Sequence, residues 1–135
     1  NPEGGTVQQM PGKQDKPTAA VAQSIGERIK LGKQIYSTTC FACHQAEGQG
    51  IPGVFPPLAK SDYLNSDIDR AIDIVLHGKT GEITVNGEKY NSVMTAQTLT
   101  DEEVANVLTY IYNNWDNNKK EVTPMMVKKL KASSH

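Results

Sequence analysis

The chain has 135 residues, 37% of them hydrophobic, and a net charge of −1; that suits one domain of ordinary size and excludes the overall basic footprint of a nucleic-acid binder. Two Phe, one Trp and five Tyr make a thin core, to which a buried apolar cofactor would add. No apolar run approaches the roughly 20 residues that span a bilayer.

Residues 1–22 place Gly4, Gly5, Pro11, Gly12 and Pro17 among Gln, Lys and Thr without helical or strand periodicity. They read as a flexible leader or interdomain linker. The chain opens at Asn1 with no signal-peptide pattern, so a processed or excised chain is expected.

Residues 24–37 form the first expected helix. Ser24 and Glu27 fit a capping box, and Ile25, Ile29, Gly32 and Tyr36 recur every three or four residues. Gly32 inside that stripe weakens a helix, so close passage of another helix is expected there. Residues 46–57, with three Gly and three Pro, read as loop, and Leu58 to Leu64 as a helical turn. A second helix is expected over 66–77, capped by Ser66 and Asp69, lined by Ile68, Ile72, Val75 and Leu76, and ended by Gly78. Ile83 and Val85, then Asn86-Gly87, then Lys89 and Tyr90 predict a small hairpin on a type I′ turn. Thr100 and Glu103 open a last core helix whose buried face is Val104, Val107, Leu108, Ile111 and Trp115, flanked by Tyr110 and Tyr112.

Charge is uneven. Residues 1–115 carry 9 basic and 13 acidic side chains, net −4, while 116–135 carry 5 Lys against Asp116 and Glu121, net +3. The expectation is an acidic folded body, 23–116, with a basic solvated tail, 117–135, in which Pro124 to Lys131 forms a short surface helix. A sharper alternative is a tail that docks an acidic surface.

Cys40-Phe41-Ala42-Cys43-His44 is a C-x-x-C-H sequence and holds both cysteines of the chain. That spacing is the signature of covalent haem attachment. Two thiols three residues apart can each add to one haem vinyl group, and the His after the second Cys can turn its imidazole to the iron. A thioredoxin-like C-x-x-C would want a βαβ context, and a zinc site would want four ligands. The opposite face of the iron then takes a ligand or stays open. Met10, Met94, Met125, Met126, His77 and His135 are the candidates. Met10 lies in the leader, and Met125, Met126 and His135 lie in the tail. His77 stands at a helix C-terminus, where a surface His is commonplace. Met94 sits in an irregular segment 50 residues after His44. A loop Met is often a core gap-filler, but the motif upstream and the helix downstream make Met94 the leading ligand. Met/His ligation raises the potential and closes the iron to substrates.

With these residues in view, the chain resembles the class I cytochrome c family over roughly residues 24–115. Gly32 and Tyr36 match the family's Gly and aromatic on its N-terminal helix, and Val107 and Tyr110 the pair on its C-terminal helix. The resemblance implies a mainly α fold, three main helices around one haem c with a small β-hairpin. It implies that the Pro56 carbonyl accepts the His44 N–H, that Leu58 packs on the haem, and that Met94 is the distal ligand. Thr95 stands where the family usually has Pro, which implies a looser Met94 loop. Residues 48–63, Val75-Leu76-His77-Gly78 and Trp115-Asp116-Asn117 look like the haem c domain fused behind some copper-containing nitrite reductases; cytochrome subunits of periplasmic alcohol dehydrogenases share part of the pattern. The function implied is periplasmic single-electron transfer to a redox partner, with no catalytic residues of its own. The partner implied is the type 1 copper of a nitrite reductase, in the same chain or another. An open-site haem enzyme or gas sensor is the reading from a different class; it would need Met94 off the iron, and the sequence shows no added distal acid/base cluster.

Overall fold

The computed structural model describes residues 24–133. The leader 1–22, Met10 and His135 lie outside them. Helix α1 (Ile25–Ile35) runs through a π-helical turn (Tyr36–Cys40) into α2 (Phe41–His44). There follow α3 (Asp62–Asn65), α4 (Ile68–His77), strands β1 (Ile83–Val85) and β2 (Glu88–Tyr90), α5 (Asp101–Tyr112) and α6 (Pro124–Ser133). The domain is mainly α, with α1, α4 and α5 as its main helices and one two-stranded antiparallel sheet.

The capping box at Ser24 is formed: Ser24 Oγ accepts from the Glu27 N–H at 3.1 Å, and Glu27 Oε1 from the Ser24 N–H at 3.2 Å. The helix does not end at residue 37, because no Gly or Pro stops it before the cysteines. It widens instead. The hydroxyls of Ser37 and Thr38 donate to the carbonyls of Lys33 and Ile35, at 2.9 and 3.2 Å, drawing acceptors out of the ladder. The Phe41 N–H reaches back five residues to the Tyr36 carbonyl. The attachment motif is thus carried inside a helical continuation of α1 rather than on a loop behind it.

Helix α4 starts one residue later than its sequence implies. Asp67, in extended conformation, caps it by accepting from the Arg70 N–H at 3.0 Å. Ser66 instead donates to the Tyr63 carbonyl. The hairpin pairs Ile83 with Tyr90 and Val85 with Glu88, and Asn86 and Gly87 take φ of 53° and 84°, the backbone a type I′ turn needs. Reciprocal bonds between Asp62 and Asn86, 2.8 and 2.9 Å, fasten the hairpin to α3.

The core forms where α1 crosses α5. Gly32 lies so close to α5 that a Cβ there would sit 2.0 Å from the Asn106 carbonyl oxygen and 2.8 Å from Tyr110 Cβ. Beside the crossing Arg28, 5% exposed, donates to Glu121, Glu102 and Asn106 at 3.0–3.1 Å. Helix α5 keeps its expected capping box and buried Val104, Val107, Leu108 and Ile111. Two expectations change. Tyr110 and Tyr112 are buried rather than flanking. Trp115 is not on the helix face, because α5 ends at Tyr112 and Trp115 stands in a turn at φ 55°.

The basic C-terminal segment is packed, not solvated. Val122 and Val127 are fully buried, and Thr109 Oγ1 both donates to the Val122 carbonyl and accepts from its N–H, at 3.0 and 2.9 Å. Met126, Val127 and Leu130 make the inner stripe of α6. The lysines between them mask that stripe in the composition.

Two substitutions test this packing. Gly32→Ala gains about 1 kcal/mol of helix propensity, but the clash is with backbone and cannot relax cheaply; a net loss of roughly 2 kcal/mol or more is expected in urea unfolding. Val127→Ala is expected to cost about 2 kcal/mol, whereas a solvated tail would show no loss in the same titration.

Candidate functional site

Cys40, Cys43, His44, Pro56, Leu58 and Met94 all line one cavity of about 340 Å³. Its other walls are largely apolar, including Ala71 and Val75 of α4, Val85 and Tyr90 of the hairpin, and Val107, Leu108 and Ile111 of α5. His77, Met125 and Met126 do not line it. His77 is exposed and paired through Nδ1 with Asp73 at 2.8 Å, Met125 is exposed, and Met126 Sδ accepts from the Thr123 N–H.

His44 is buried at the end of α2, with Nδ1 3.0 Å from the Pro56 carbonyl oxygen. A carbonyl only accepts, so Nδ1 carries the proton and Nε2 keeps its lone pair. Burial lowers the His44 pKa, against a smaller raising effect of the Pro56 bond. The ring is therefore neutral, the form that ligates metal. The loop that brings Pro56 back needs Gly50: at φ 65°, its absent Cβ would fall 2.4 Å from the Phe55 carbonyl oxygen. The Gly50 N–H donates to the His44 carbonyl at 3.0 Å.

Both cysteines are free thiols, Cys40 half-buried and Cys43 exposed. Burial, with Cys43 adding to it, pushes the Cys40 thiol up to about 11. An uncharged thiol in an apolar wall suits thioether formation better than thiolate chemistry. Among the described residues no three His, Cys, Asp or Glu side chains are grouped to hold a metal ion between them, which sets the zinc reading aside.

Met94 is placed by α4. An isolated antiparallel bridge joins it to Lys79, with N–H to carbonyl distances of 2.8 and 2.9 Å in the two directions. Gly78 permits the approach: a Cβ at that position, φ 80°, would lie 2.5 Å from the Met94 carbonyl oxygen.

Sequence reasoning missed Arg70. It lines the cavity, its guanidinium lies 3.6 Å over the Tyr63 ring, and Nη2 donates to the Tyr63 carbonyl and to Ser66 Oγ. Its Nε is buried without a hydrogen-bond partner among the described residues. A buried donor left unpaired is costly, and an anionic group in the cavity would pair it. The signal in the sequence was a lone cation amid Asp62, Asp67, Asp69 and Asp73. An apolar slot, two thiols, a neutral imidazole, a thioether and one orphaned cationic donor together fit a haem with its carboxylate side chains.

The cytochrome c family model matches residues 29–115. Cytochrome c-552 of Thermus thermophilus is 44% identical over 111 residues, covering 75% of this chain and 84% of its own. Cytochrome c-552 of a second strain of the same species is likewise 44% identical, with 74% of its length covered. The cytochrome c subunit of a quinone alcohol dehydrogenase from Gluconobacter oxydans is 27% identical over 121 residues, with 24% of its length covered. Together with the helical fold around an apolar slot that carries the attachment sequence, these matches show that the chain belongs to the cytochrome c family, electron-transfer proteins rather than enzymes, and binds one haem c covalently.

Proposed function

We propose that Cys40 and Cys43 form the thioethers, that His44 and Met94 are the axial ligands, and that the Pro56 carbonyl and the Leu58 side chain support the haem. Haem iron supplies one-electron chemistry, ferric to ferrous and back. The chain's residues supply the rest. His44 donates through Nε2 while Pro56 holds its ring by the other nitrogen, which raises ligand basicity. Met94 closes the opposite side and favours the reduced state relative to harder ligands. The apolar walls exclude water. Arg70 holds a haem carboxylate, and its charge favours the reduced state. The observation that carries this reading is the convergence of His44, Pro56 and Met94 on one apolar cavity.

The partner we propose is a mononuclear type 1 copper centre of a nitrite reductase, in a periplasmic denitrifying pathway. The likeness of residues 48–63, 75–78 and 115–117 to haem c domains fused to such enzymes supports it. On that reading 1–22 is the linker, 23–116 the haem domain and 117–135 an appended segment, and the linker would raise the effective concentration of haem at copper. The Gluconobacter relative favours a second reading, exchange with a periplasmic alcohol dehydrogenase. Among the described residues no helix is long and apolar enough to cross a membrane.

The native ferric protein is expected to be low-spin and six-coordinate, with a weak sulfur-to-iron charge-transfer band at the red end of its spectrum. Met94→Ala should abolish that band and admit carbon monoxide on mixing; a high-spin native spectrum would remove Met94 from the iron. Arg70→Gln should lower the midpoint potential by roughly 30–60 mV, three- to tenfold in the one-electron equilibrium, and a rise would contradict the assigned role. Stopped-flow reduction of a type 1 copper nitrite reductase against oxidation of an alcohol dehydrogenase separates the two partners.

A further inference from the structure

We propose that Trp115 and Asn117, in the turn after α5, are positioning residues for His44: they fix the loop that holds the Pro56 carbonyl against Nδ1, and so set how strongly the imidazole donates to iron. The inference rests on the haem ligation proposed above.

The loop between His44 and α3 has little regular structure of its own, only the Ile51–Phe55 bridge. It closes at Gly48, whose carbonyl accepts from the N–H groups of Leu58 and Ala59 at 2.6 and 2.9 Å. The turn after α5 grips this closure from outside. The Trp115 carbonyl accepts from the Lys60 N–H at 3.1 Å. Asn117, 7% exposed, donates through Nδ2 to the carbonyls of Leu58 and Ile111 at 3.0 and 2.9 Å, and accepts at Oδ1 from Asn65 Nδ2 at 2.9 Å. Its amide is thus saturated by three elements, two residues away from the Pro56 carbonyl.

The indole covers the same point. A Cβ on Gly48 would lie 2.5 Å from the Trp115 ring. Tyr36 and Tyr110 pack on that ring at centroid distances of 5.2 and 5.5 Å. The Tyr36 hydroxyl donates to the carbonyl of Gln45, the residue that follows His44. The strand of loop leaving the ligand and the strand returning past Pro56 therefore rest on one aromatic cluster. Trp115 and Asp116 both hold left-handed φ, 55° and 63°. Such backbone is unusual for a bulky residue, and it persists where surroundings over-determine it, commonly at functional sites.

A purely structural clamp would change stability alone. A positioning clamp changes the potential, because a looser Nδ1–H to carbonyl bond makes the imidazole a poorer donor and favours the ferrous state. The test uses the full-length holoprotein carrying Asn117→Ala, with Trp115→Phe as a second variant and Val127→Ala, remote from the loop, as a stability control. In both clamp variants the ferrous-to-ferric ratio at fixed ambient potential should rise roughly three- to tenfold, an upward shift of about 28–59 mV, while the six-coordinate spectrum is kept. Exchange of the His44 Nδ1 proton, read by NMR, should quicken in the same variants, and Val127→Ala should alter neither. An unmoved potential in Asn117→Ala, or an equal shift in the control, overturns the proposal and leaves the ligation standing. A native spectrum without His/Met ligation overturns the ligation itself. Should Trp115→Phe fail to accumulate, Asn117→Ala decides.

Discussion

The structure depends on the contact between α1 and α5 at Gly32. There a backbone meets a backbone, with no side chain between them. That approach fixes the helix that becomes the Cys-bearing segment against the helix whose Val107, Leu108 and Ile111 wall the cavity. A side chain at residue 32 would force the two apart and misalign the cysteines with the slot. Arg28 secures the same crossing from the side by binding two carboxylates and an amide. One glycine and one arginine, a single helical turn apart, thus set the geometry on which the haem site rests.

Local chemistry made most of the architecture readable. Capping boxes at Ser24 and Thr100, the Asn-Gly turn, Gly78 as a stop and the glycine in the α1 stripe are rules of one or two turns of chain, and each was met. The cysteine motif named its cofactor because the spacing matches the reacting group. Boundaries were less legible where bonds compete. Ser37 and Thr38 turned an expected helix end into a π-helical turn, and Asp67 displaced Ser66 as the cap of α4.

What stayed hidden was what tertiary contact decides. The stripe Met126, Val127, Leu130 is short and interleaved with lysine, so its burial on α5 could not be weighed against a solvated helix. Trp115 kept the spacing of the α5 face although the helix stops before it. Arg70 carries no local signature, and only its orphaned nitrogen in a cavity wall marks it. The grouping of His44, Pro56, Leu58 and Met94 on one slot is a placement the chain alone could only borrow from a resemblance.

The two walls that face each other across the slot are rooted to different depths. The cysteine–histidine wall is an extension of α1, so it yields only when the central helix pair yields. The Met94 wall is an irregular segment pinned to the end of α4 by two backbone bonds at Lys79 and a third from the Gln97 N–H to the Val75 carbonyl, 2.9 Å. Local opening therefore needs far fewer broken bonds on that wall than on the other. The molecule is built as an anchored jaw and a hinged one, and partial unfolding starts at the hinge while the covalent side still holds its cargo.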